Sequence, residues 1–368
     1  MSDKIYVATR KGLFTLERAR PGEWTVSGTA FLGDPVTMLL DDARDGTLYA
    51  ALNLGHFGVK LHRSTDKGRE WQEIKAPAFP PESEERLEAT PAPPSVHQVW
   101  ALESGGADRP DVLWGGTIPG ALFQSNDCGE SWKLNRSLWD RPERDNWFGG
   151  GYDDPGIHSI CVDPRDSRHV TVGVSCGGVW VTRDAGETWD CRATGMFAEY
   201  MPAEKRNDPT IQDPHRIVQC ASAPDNLWAQ HHNGVFRTTN GAERWEEVTD
   251  VPPSNFGFAV AVHPEDPEVA WLVPGVKDQC RIPVDGKFVV TRTRDGGRTF
   301  EVLRKGLPQE HAYDLVFRHG LDVDRTGERL VLGSTTGGLW ITENSGDDWS
   351  CVNTHLPPIY QVLFAGSA

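Results

Sequence analysis

The stretch Ser64-Thr65-Asp66-Lys67-Gly68-Arg69-Glu70-Trp71 decides the fold, because it comes back. Full copies stand at Ser125–Trp132 (SNDCGESW) and Thr182–Trp189 (TRDAGETW). Variants stand at Thr238–Trp245 (TTNGAERW), Thr293–Phe300 (TRDGGRTF) and Thr342–Trp349 (TENSGDDW). The six starts are 61, 57, 56, 55 and 49 residues apart. A looser seventh copy runs from Thr15 to Trp24. Self-similarity on this scale means stacked supersecondary units. The residue types suit a tight turn: the Asp carboxylate accepts backbone N–H groups, Gly supplies a positive φ, and Trp packs between units. These aspartates therefore read as structural, not catalytic.

The flanking sequence fits four short strands per unit. In the fourth unit, Ile157–Asp163 alternates, Pro164-Arg165-Asp166 turns, His169–Ser175 alternates again, and Gly177-Gly178 leads into Val179–Thr182 and the repeat. Similar opening strands are expected at Val96–Ala101, Ile217–Ala221, Phe258–His263 and Tyr313–Phe317. The first unit lacks an opening strand, and Ile359–Ala365 is one to spare. Such pairing would close a ring and remove its exposed edges. The expectation is an all-β, seven-bladed β-propeller, residues 1–368 as one domain, with the first blade completed by the C-terminal strand.

The motif resembles the BNR (Asp-box) repeat of sialidases and related propellers. That resemblance implies a turn between the third and fourth strands of each blade. Sialidases also use an arginine triad, a Tyr/Glu nucleophile pair and an Asp acid/base, and carry a Phe/Tyr-Arg-Ile-Pro motif near the N-terminus. Here Arg281-Ile282-Pro283 follows Cys280 instead, inside the sixth unit, and seven blades differ from the six of sialidases. The chain also resembles seven-bladed assembly-factor propellers, which implies binding without catalysis.

Lys and Arg number 37 against 53 Asp and Glu, a net charge of −16, which argues against nucleic acid and anionic membrane as partners. Seven Cys without a CxxC pair read as free, mostly buried thiols. The N-terminus, Met1-Ser2-Asp3-Lys4-Ile5-Tyr6-Val7, has no apolar signal core, so a cytoplasmic location is expected. Neither a nucleotide-binding loop nor a nucleophile elbow occurs, so no nucleotide cofactor is expected.

Chemistry is expected on the face carrying the longest blade-to-blade loops, Ala76–Ser95, Lys133–Gly156 and Ala193–Pro214. Aligned opening strands put His97, His158 and His215 in one column, beside Phe258, Tyr313 and Tyr360 in other units. Three imidazoles on adjacent blades are a common first shell for Zn²⁺ or Fe²⁺, so they are the expected metal ligands. The bland alternative is that each packs between blades on a backbone carbonyl. Asp153, Asp154 and Asp213 are candidates to orient ligands or move protons, as against turn-forming Asp before Pro. Arg216 is a further catalytic candidate. Trp147, Tyr152, Tyr313, Tyr360, His231 and His232 are candidates for substrate contacts, or else loop anchors.

The leading expectation is thus a metal-dependent hydrolase acting on a small molecule. The alternatives are a propeller that binds an unidentified protein or ligand without catalysis, and a sialidase-type glycosidase.

Overall fold

A computed structural model describes residues 2–80 and 94–366. The loop expected at 76–95 falls mostly outside them. Seven four-stranded antiparallel sheets form, one per repeat. The innermost strands are β4 (Val36–Asp42), β8 (Gln98–Ser104), β12 (Gly156–Val162), β16 (Pro214–Gln219), β20 (Gly257–Val262), β24 (Leu321–Val323) and β28 (Ile359–Phe364). Each packs on the next, β4 on β8 and onward to β28, and β28 on β4, so the ring is closed. The chain is a seven-bladed β-propeller.

Closure works as the spare strand suggested. β28 lies beside β1 (Lys4–Thr9), with Ile5 opposite Phe364 and Val7 opposite Val362. The first blade is therefore built from both ends of the chain.

The repeated octapeptide supplies the outer turns. In the fourth blade the Asp184 carboxylate accepts from Thr188 N–H at 2.9 Å, while Thr182 Oγ1 donates to it at 2.7 Å and accepts from Gly186 N–H at 2.9 Å. Ala185 and Gly186 both take positive φ, 61° and 92°, so the residue before the glycine shares the strained position. The aromatic then docks on the preceding blade. Trp132 Nε1 donates to Lys75 O, Trp189 Nε1 to Asn135 Oδ1 and Trp245 Nε1 to Arg192 O, at 2.8–2.9 Å. One motif thus closes a hairpin and ties two blades. Asp184→Ala is expected to cost ~1 kcal/mol, the scale of a lost side-chain-to-backbone turn bond, with the fold retained in urea melts followed by circular dichroism.

Two sequence expectations need correction. Tyr313–Phe317 is not a strand; the seventh blade opens with β24 instead. Leu315 and Val316 are adjacent and both buried, in different clusters, which strict alternation forbids. Of the seven cysteines only Cys176 and Cys220 are buried. No helix among the described residues is long and apolar enough to cross a membrane.

Candidate functional site at the channel mouth

The inner strands share a defect that builds the site. Six of the seven carry a register shift, which leaves Thr37, Trp100, His158, His215, Phe258 and Tyr360 out of step with their partner strands. A β-bulge re-aims a side chain. Five of these six residues, all but His158, line a cavity of about 910 Å³ at one end of the central channel. Loops from several blades complete it, including Phe148, Tyr152, Tyr200, His232 and Arg281.

The bulges also correct the histidine column. The residue equivalent to His158 and His215 in the third blade is Trp100, three positions beyond His97. His97 is an exposed loop residue, its side chain 57% accessible, with Nδ1 3.7 Å from Asp154 Oδ2. His158 is fully buried. Its Nδ1 lies 2.8 Å from Ser159 Oγ, which also accepts from Ile217 N–H, leaving Nε2 as the other polar atom of the ring. That Nε2 has no partner. His97, His158 and His215 therefore do not form one metal shell.

A different group does come together. Among the described residues, Asp213, His215 and His232 offer three ligand atoms within 4.8 Å of one another. His215 Nδ1 lies 2.7 Å from Gly257 O. A carbonyl can only accept, so Nδ1 carries the proton, and Nε2 of the neutral ring presents a lone pair. That lone pair faces Asp213 Oδ2 at 3.5 Å, and His232 Nδ1 faces the same oxygen at 3.4 Å. The other oxygen, Oδ1, accepts from Cys176 N–H at 3.1 Å and Ser175 Oγ at 3.2 Å. Behind them His231 is fully buried and accepts from Asp213 N–H at 3.0 Å; it supports the loop and does not reach the cavity. Gly150, from the glycine triplet, presses on this group: a Cβ there would sit 2.7 Å from Cys176 Sγ.

Burial lowers the His215 pKa, outweighing Asp213. Burial raises the Asp213 pKa, but His215, His232 and Arg318 outweigh it and hold the carboxyl well below the usual carboxylate range. The centre is an ionised carboxylate facing two imidazoles.

The remaining candidates fall elsewhere. Tyr152 and Tyr360 line the cavity. Trp147 is buried against Trp180 in the fourth blade, and Tyr313 is 59% exposed outside the cavity wall. Asp153 is exposed and Asp154 half-buried on the outer loop, away from the lining. Arg216 lies deeper. It donates to His158 O at 3.3 Å and lines a second cavity of about 170 Å³ with Glu103 and Asp322. His319 borders both cavities and donates from Nε2 to the same His158 carbonyl, from across the channel. Sequence reading missed Arg318, which is buried in the upper wall.

The buried histidines set an acid limit. Burial holds His158 and His319 well below the ordinary imidazole range and lowers His231 to about 3. Each binds a proton in the unfolded chain below about pH 6.5 but not in the folded one, so stability is lost as pH falls. Glu103 opposes them: burial raises it to about 7, so the folded state gains a proton the unfolded state lacks. His215 is lowered by burial as well, so four imidazoles act against one carboxyl, and the net favours unfolding as pH falls from about 6.5 toward 5. The urea midpoint of metal-free protein is expected to fall steeply over that window. A flat midpoint would contradict the buried neutral histidines.

Comparison with known proteins places the fold. No protein-family model matches the chain. An oligoxyloglucan-reducing end-specific xyloglucanase of Emericella nidulans is 29% identical over 166 residues, 41% of this chain and 19% of that protein. The chain thus spans about a fifth of that relative's length. Among solved structures, the GH74 xyloglucanase from Xanthomonas campestris superposes with a TM-score of 0.64 at 18% identity, covering 96% of this chain and 53% of that one. YCF48 from Cyanidioschyzon merolae gives 0.57 at 16% identity, covering 93% and 92%. At such identities these structures establish the propeller and nothing of the chemistry.

Proposed function

We propose that the protein is a hydrolase whose active site is the channel-mouth cavity, with a divalent cation held by Asp213, His215 and His232. One observation carries this reading. The Nδ1–H of His215 is committed to the Gly257 carbonyl, so its Nε2 lone pair and the carboxylate Oδ2 face each other with no proton of the ring between them. Two acceptors at 3.5 Å in a buried site call for a cation or a donor to join them. A backbone carbonyl on the far nitrogen is the usual support of a metal-bound histidine. Two imidazoles and one carboxylate are also a common open catalytic set for Zn²⁺ or Fe²⁺.

Such an ion supplies a Lewis acid that polarises a substrate bond or acidifies a water. The protein's own residues do the rest. Ser175 and the Cys176 N–H fix the Asp213 carboxylate, Gly257 fixes His215, and Trp100, Tyr152 and Phe258 wall the substrate. A carbohydrate is the favoured substrate class. The xyloglucanase relative supports it, and so does the aromatic wall of the cavity.

The test is metal uptake by untagged, chelator-treated protein titrated with Zn²⁺, Mn²⁺ and, anaerobically, Fe²⁺. One ion per chain is expected, with affinity reduced at least ~10-fold in His215→Ala and His232→Ala. His97→Ala should bind as the native protein does. Absence of uptake by the native protein overturns the reading. Hydrolysis of xyloglucan oligosaccharides that survives chelation would favour a metal-free glycosidase in its place.

A further inference from the structure

The channel-mouth cavity contains a buried cation that makes no contact ion pair. Arg318 is only 8% exposed and lines the cavity. Among the described residues no carboxylate lies within ion-pair distance of it, and its Nε has no hydrogen-bond partner. Its guanidinium sits over two rings instead, 4.6 Å from Trp100 and 5.3 Å from Phe258. Those rings are bulge residues of the third and sixth blades, so the scaffold itself frames the charge. Aromatic faces attract a cation but accept no in-plane hydrogen bonds. The N–H fork of Arg318 is left unmet inside a pocket.

Asp213 attracts Arg318 through space from the same cavity, but a buried charge without a contact pair is still costly. The other arginine of this wall shows the contrast. Arg281 also stacks on Phe258, but it is 40% accessible and paired with Asp278. Two cations therefore flank one ring, and only one of them is in a contact ion pair.

We infer that Arg318 is a specificity-determining residue that recognises an anionic oxygen group, carboxylate or phosphoryl, on the substrate. The fork geometry of a guanidinium matches such groups, and the burial of Arg318 strengthens such a pair relative to one at the surface. The substrate class becomes an acidic sugar or sugar phosphate. This rests on the reading of the cavity as the ligand site, but not on the presence of a metal.

The probes are D-glucuronate, which differs from D-glucose only in its carboxylate, D-glucose itself, and inorganic phosphate. Binding is read by calorimetry on native protein, Arg318→Met and Arg318→Lys, each with and without chelator. Glucuronate or phosphate is expected to bind native protein at least ~10-fold tighter than glucose, as one buried charge-assisted pair implies. Arg318→Met should erase the difference while its thermal midpoint stays level or rises, which a merely structural arginine would not allow. Arg318→Lys, which keeps charge and stem but not the fork, should retain part of it and serves if the Met variant does not fold.

The inference is overturned if native protein does not distinguish glucuronate and phosphate from glucose. It is equally overturned if the preference persists in Arg318→Met, or vanishes on chelation alone, since the anion would then be binding the metal. Anion preference that survives chelation in a protein that takes up no metal leaves this inference standing and removes only the metal. Metal uptake without anion preference does the reverse.

Discussion

A chain ending at Pro358 is expected not to fold. The missing strand β28 is the innermost of the first blade, and Ile359, Val362 and Phe364 are each no more than 2% exposed. It also joins three blades by its polar groups. Gln361 bonds both the N–H and the carbonyl of Leu39 in the second blade, at 2.6 and 3.2 Å. Val362 N–H reaches His319 O, and Phe364 N–H reaches Asp322 Oδ2, both in the seventh blade. Truncation strips these partners and exposes the edges of β1 and of both neighbouring blades at once. The milder variant Phe364→Ala should still cost ~3–5 kcal/mol in urea unfolding, the range for a buried aromatic. A soluble truncated chain with a native near-ultraviolet spectrum would show that the ring does not depend on this closure.

That closure could be read in the sequence because each part of it is local. The octapeptide marks six of the seven outer turns by residue type, and Trp132, Trp189 and Trp245 mark the seams between blades. Ile359–Ala365 announced itself as one opening strand too many. Tyr313–Phe317 misled for a physical reason: it is as apolar as an inner strand, but Leu315 and Val316 serve two different clusters and the chain does not extend there.

The site was half legible. Asp213, His215 and His232 each stood out singly, but their meeting depends on bulges, and a bulge adds one residue without leaving a mark on hydrophobic alternation. In the third blade the bulge falls at Trp100, three residues beyond His97, so His97 stays outside the cavity wall. Arg318 was silent because a lone arginine in Phe317-Arg318-His319-Gly320 reads as a solvated charge. Only the packed ring shows that Trp100 and Phe258 cover it from other blades.

Asp213→Ala and Asp213→Asn should part company, and the parting tests the centre. In Asp213→Ala, the Cys176 N–H and Ser175 hydroxyl lose their acceptor inside a buried site. Stability should drop by ~2–4 kcal/mol, and metal uptake should vanish. The Asn variant keeps the shape. Its carbonyl oxygen can take over the bonds from Cys176 and Ser175, and its amide can donate toward the Nε2 lone pair of His215. With His215 neutral, that exchanges a carboxylate facing a lone pair for a hydrogen bond, so the metal-free Asn protein should be as stable as the native one or more so. It should nevertheless bind no metal, since the amide is a poor ligand for a divalent transition ion. The alternative chemistry predicts the opposite sign. Were His215 a protonated imidazolium paired with Asp213, neutralising the aspartate would leave a buried unpaired cation and cost ~3–5 kcal/mol. Chemical unfolding of the chelator-treated native, Ala and Asn proteins side by side therefore separates a cation-binding centre from an internal ion pair. An Asn protein markedly less stable than the native one would decide for the ion pair.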